Sequence, residues 1–92
     1  MKYFVVVEDY SGAVIYSEGT YEECLNTLHD IYNEMITFRA VMPKDEWIPV
    51  LYNQGADTLI VEGDRTETYT IYGGVDADEV LRTLYDWKEY RS

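Results

Sequence analysis

Cys24 and His29 are the only thiol and the only imidazole in the 92 residues, so any search for nucleophilic or metal chemistry begins there. Five positions apart on a helix, they sit ~140° apart around its axis, and neither can activate the other. Cys24 falls on an apolar stripe, which marks a buried structural thiol, and His29 flanks that stripe as a packing residue. One Cys and one His cannot complete a tetrahedral His/Cys zinc site within a single chain. Asp76-Ala77-Asp78-Glu79 is rich in carboxylate but lacks the spaced ligands of a calcium loop. Gly73-Gly74 lacks the GxGxxG and P-loop spacings, and acids crowd the helix start that follows, so no phosphate cradle is expected. No catalytic residue, metal ligand or cofactor is assigned, and the chain is read as a non-enzyme.

The elements that hold these residues come from a sequence that repeats. Residues 15–31, IYSEGTYEECLNTLHDI, align without a gap on residues 71–87, IYGGVDADEVLRTLYDW. Ile15, Tyr16, Glu23, Leu25, Thr27, Leu28 and Asp30 recur as Ile71, Tyr72, Glu79, Leu81, Thr83, Leu84 and Asp86, and residues 5–8 echo residues 59–62. The repeats, about 2–35 and 58–90, each read as strand, turn, strand, helix. Strands are expected over residues 2–8, 13–17, 58–62 and 67–72, from their β-branched and aromatic runs and the turn residues between them. Each helix opens on a capping box, Thr20-x-x-Glu23 and Asp76-x-x-Glu79. Apolar stripes follow at helical spacing, Cys24, Leu28, Ile31, Met35 in one and Val80, Leu84, Trp87 in the other. Between the copies, the first helix either continues through residues 36–38 or gives way to an extended segment. Residues 43–46 then read as a loop and residues 47–53 as an edge strand, since Pro49 cannot donate to a ladder. The expectation is a single α+β domain over residues 1–92, ordered ββα-β-ββα. A duplicated ββα unit builds an antiparallel sheet of four to five strands with both helices on one face. The other face would then present Tyr16, Tyr72 and threonines as an interface.

Charge narrows the partners. Eighteen acids against seven bases give a net charge of −11. No Lys or Arg occurs between Lys2 and Arg39, whereas Glu8, Asp9, Glu18, Glu22, Glu23, Asp30 and Glu34 all fall there. Direct nucleic-acid binding draws its affinity from Lys and Arg and is disfavoured, as is an anionic membrane. A basic protein surface is favoured. The same charge also keeps a chain with ten tyrosines in solution. A single cysteine suits a reducing compartment. The first apolar run stops at Glu8, too early for a secretory signal, and no stretch reaches the ~20 apolar residues of a membrane span. A cytoplasmic location is expected.

Small size, one domain, heavy acidity and abundant tyrosine together resemble the small acidic proteins by which phages disarm host defence, anti-CRISPR proteins and DNA mimics among them. The resemblance is one of character over the whole chain and matches no inhibitory residue. It implies an inhibitor that occupies a basic nucleic-acid channel or another protein site, in the host cytoplasm if the chain is phage-encoded. Magnitude limits the mimic. A compact chain of this length spans about 32 Å, over which duplex DNA carries roughly 19 negative charges. The net charge is near half of that, so a partial mimic is expected. Its partner-binding residues would be Asp9, Tyr10, Glu18, Tyr21, Glu22, Glu23, Asp30, Tyr32 and Glu34, with the tyrosines as anchors beside the acids. Two alternatives remain open at this point. One is a structural, self-associating homodimer built on Tyr16 and Tyr72. The other is a carboxylate-based enzyme or divalent-cation binder.

Overall fold

Phe4, Val5 and Val6 have no exposed surface. Successive side chains of a strand point to opposite faces, so this strand must be covered on both. The computed structural model describes residues 1–41, 48–51, 57–63 and 66–91. Its elements run β1 (Lys2–Asp9), β2 (Gly12–Gly19), α1 (Tyr21–Val41), β3 (Ile48–Leu51), β4 (Thr58–Glu62), β5 (Glu67–Gly74) and α2 (Ala77–Arg91). The fold is α+β. Four strands form an antiparallel sheet in the order β2-β1-β5-β4, and β3 pairs antiparallel with β4 beyond them. Pro49 thus lies in an outer segment. The first helix continues past residues 36–38 to Val41. The loop at 43–46, the turn at 54–56 and residues 64 and 65 lie outside the described residues, as does the Trp87 side chain.

Two cores follow from the alternation of β1. On the first face, Val5 packs with Leu59, Val61, Tyr69 and Ile71 under Cys24, Leu28 and Ile31 of α1. On the second, Phe4 and Val6 pack with Ala13 under Val80 and Leu84 of α2. The helices therefore lie on opposite faces, and the expectation of both on one face is corrected. Cys24, Leu28, Ile31 and Met35 of the first stripe and Val80 and Leu84 of the second are seated as their spacing predicts, and the sides differ. Burying such apolar side chains contributes about 1.5–3 kcal/mol each relative to exposure, so neither helix can leave the sheet without exposing several of them.

A bulge in β2 distinguishes the two similar segments locally. Val6 pairs with Ile15 and Val5 with Ser17, so Tyr16 is the extra residue. Ile15 consequently joins the α2 side, whereas its counterpart Ile71 belongs to the α1 side. One inserted residue inverts the faces of everything before it. Similar sequences thus present opposite sides of their strands.

Candidate functional site

Both helix starts carry the expected caps. In α1, the Thr20 N–H donates to Glu23 Oε1 and the Glu23 N–H donates to Thr20 Oγ1, each at 3.1 Å. In α2, the Glu79 N–H donates to Asp76 Oδ1 at 2.8 Å, but Glu79 Oε2 accepts from Val75 one residue further back, at 2.8 Å. Glu23 and Glu79 are therefore committed structurally. Cys24 is buried, and that burial, reinforced by the Glu23 charge, pushes its thiol pKa up, away from a nucleophilic thiolate. His29 is exposed on α1. Among the described residues, no three His, Cys, Asp or Glu side chains converge on a point that could hold a metal ion. None of the described helices is long and apolar enough to cross a membrane.

The nine acidic-face residues are spread over separate places. Glu22, Glu23, Asp30 and Glu34 are all exposed on α1. At ~100° per residue, Glu23, Asp30 and Glu34 share a sector of about 40° on the side away from the sheet, forming a rail ~17 Å long. Glu22 stands roughly 100° around from them. Tyr21 meets the ring of Tyr3 edge-on, with centroids 5.4 Å apart, and Tyr32 packs against the first-face core. Glu18 shares a hollow with Met1, Lys2 and Glu23 at one end of the strands. Asp9 and Tyr10 lie at the other end, in the β1–β2 turn, where Asp9 Oδ1 accepts from the Ser11 N–H and hydroxyl. The Tyr10 side chain is 81% exposed.

Tyr16 and Tyr72 do not share a face. The bulged Tyr16 sets its ring edge-on to Tyr69 at 5.8 Å, beside the first-face core. Tyr72 packs with the second-face cluster and donates its hydroxyl to Glu8 Oε1 at 2.8 Å. Desolvation pushes the Tyr72 phenol up to about 12, reinforced by that bond and the Glu8 charge and opposed by a bond from Thr70, with Asp57 adding a weaker push. Tyr69 is also raised to about 12, chiefly by burial and next by the Glu67 carboxylate. The expected alternation within β5 is observed. Tyr69 and Ile71 are buried, while Thr68, Thr70 and Tyr72 are half-buried on the second face.

Two features escaped the sequence reading. Tyr85 of α2 donates its hydroxyl to the Ala13 carbonyl at 3.0 Å and accepts from the Ala13 N–H at 3.2 Å. It thereby caps the outer edge of β2 at one residue. Its alignment with His29 marked only a flanking position, because a contact 72 residues away in sequence leaves no local signal. The second is Gly74, where an added Cβ would lie 2.6 Å from Val80 Cγ2. Family models, curated proteins and solved structures give no match to this chain.

Proposed function

We propose that this protein is a non-enzymatic, acidic protein-binding module. It acts as an inhibitor or adaptor on a partner with a basic surface, in the manner of the small acidic anti-defence proteins. The observation that carries this reading is the placement of charge. None of the described acidic side chains is buried, and α1 turns Glu22, Glu23, Asp30 and Glu34 to solvent with no cation before Arg39. A long negative field steers a basic partner and repels phosphate. The rail offers three carboxylates over a length on which duplex DNA presents roughly ten phosphates. That supports a partial mimic and weighs against a full one. A cytoplasmic site of action fits the single reduced Cys24. The repeated sequence supports reading the chain as a duplicated ββα unit whose second copy turned its helix to the other face.

The test is affinity capture from the native host, followed by titration of the purified partner. Affinity is expected to fall about ten-fold between low and physiological salt. Replacing Glu22, Asp30 and Glu34 together with lysine, leaving the Glu23 cap in place, is expected to abolish capture. Binding that ignores both salt and this reversal removes the acidic module from consideration. Self-association is the second reading, favoured by Val14 and Tyr16, which are 61% and 51% exposed on the outer strand β2. A dimer lost on Tyr16→Ser, with the fold intact, would establish it.

A further inference from the structure

β2 ends the strand order, so half of its main-chain groups point away from the sheet. Two observations fix which ones. The Tyr85 hydroxyl reaches Ala13 from outside, donating to its carbonyl at 3.0 Å and accepting from its N–H at 3.2 Å. Across β1, the Ile71 N–H donates to the Asp57 carbonyl at 3.0 Å and so points away from β1. Val5, opposite Ile71, then bonds toward β2, and so does Val7, two residues on, to Val14. The main chain of Val14 is therefore turned inward, and that of Ala13 and Ile15 is turned out. Tyr85 makes at Ala13 the two bonds that an incoming strand would make. Gly12 leaves it room, since an added Cβ there would lie 3.0 Å from the hydroxyl oxygen.

We propose that β2 is a pairing edge for β2 of a second copy of this chain, and that the Tyr85 hydroxyl holds this edge shut. The inference rests on the self-association reading, to which it gives a register and a latch, and stands apart from the acidic module. Centring two antiparallel strands on Val14 sets Ala13 opposite Ile15 of the second copy, and Ile15 opposite Ala13. Each such pair exchanges two main-chain bonds, so four form in all. Registers centred on Ala13 or on Ile15 form one such pair and two bonds. The Val14 side chain, 61% exposed, then meets its own copy at the close, non-hydrogen-bonded position. Past Ile15 the Tyr16 bulge bends the strand out of line, which confines pairing to residues 12–16. Charge selects the occupant. Residues 12–16 carry none, so two chains of −11 can meet there, whereas a basic partner finds no carboxylate. Both pairs of the Val14 register use Ala13. While Tyr85 occupies it, all four bonds are withheld together.

The experiment compares the native chain with Tyr85→Phe, and with Tyr85→Ala, which clears the ring as well. Sedimentation and amide hydrogen exchange are followed from micromolar to millimolar protein. Either variant that keeps the native fold is expected to self-associate at least about ten-fold more tightly than the native chain. Its Ala13 amide should exchange fast when dilute and become protected, together with Ile15, as the dimer forms. Val14→Lys in the same background sets two like charges face to face and should restore the monomer. Folded variants that stay monomeric at millimolar concentration overturn the pairing edge, as does a dimer that Val14→Lys leaves intact. A native dimer that Tyr16→Ser breaks and Tyr85→Phe does not strengthen overturns the latch and leaves self-association standing.

Discussion

A phenol held at about 12 reports what surrounds it. Tyr69 and Tyr72 are raised above the ~10 of a free phenol because folding stabilises their neutral form. Below pH ~10 these groups are neutral in both folded and unfolded chains, and their contribution to stability is intact. Between pH ~10 and about 12 the unfolded chain loses protons that the folded chain keeps, so stability falls as pH rises. Alkaline titration followed by phenolate absorbance should show Tyr69 and Tyr72 ionising together with unfolding. Tyr72→Phe should make the fall shallower by deleting one of the two groups. It should also cost about 1–3 kcal/mol at neutral pH through loss of the bond to Glu8, read from the urea midpoint. Tyr85→Phe tests a different contact. It removes both bonds to Ala13 and should cost roughly 1–2 kcal/mol, with faster hydrogen exchange at the Ala13 amide as the local signature. Neither long-range partner was legible in the sequence, since a phenol's hydrogen bond depends on chain crossings that spacing does not encode.

Local chemistry, by contrast, was readable at the level of the element. Thr20 and Glu23 announce the start of α1 because reciprocal capping is a property of four consecutive residues, and both bonds form. Thr20→Ala should cost about 1 kcal/mol, and Thr20→Ser should restore most of it, by thermal midpoint. The helical stripes and the alternation in β5 were legible for the same reason, being periodic. The side on which each helix lands was not. That choice depends on tertiary packing, and the Tyr16 bulge that sets Ile15 on the other side from Ile71 has no composition of its own. Close approach of α2 to β5 also depends on tertiary packing. Gly74 is tolerable in a strand because Val80 needs the space, so Gly74→Ala should cost about 1–3 kcal/mol through overpacking. The damage should stay on the second-face core, with methyl shifts at Val80 and Leu84 and little change at Leu28.

For the molecule as a whole, stability and function pull the acidic surface in opposite directions. Asp30 and Glu34 are four residues apart on α1 and both exposed, so they repel each other. The long axis of the Cα trace is 39 Å, several Debye lengths at physiological salt. Charge at one end is therefore screened from the other, and local pairs dominate the energetics. Glu34→Lys turns the repulsion into an Asp30-to-lysine pair in the favourable orientation. It should stabilise the chain by roughly 0.5 kcal/mol, an effect that shrinks in high salt. If acidity serves only solubility, this variant should be better folded and otherwise indifferent. If the rail steers a basic partner, the same variant should associate more slowly, by a factor of about two to five at low salt, with dissociation nearly unchanged. Stopped-flow association read beside a urea melt separates the two. A gain in stability paired with a loss in association rate identifies a surface kept acidic for recognition, since a surface kept for the fold would have relieved that repulsion.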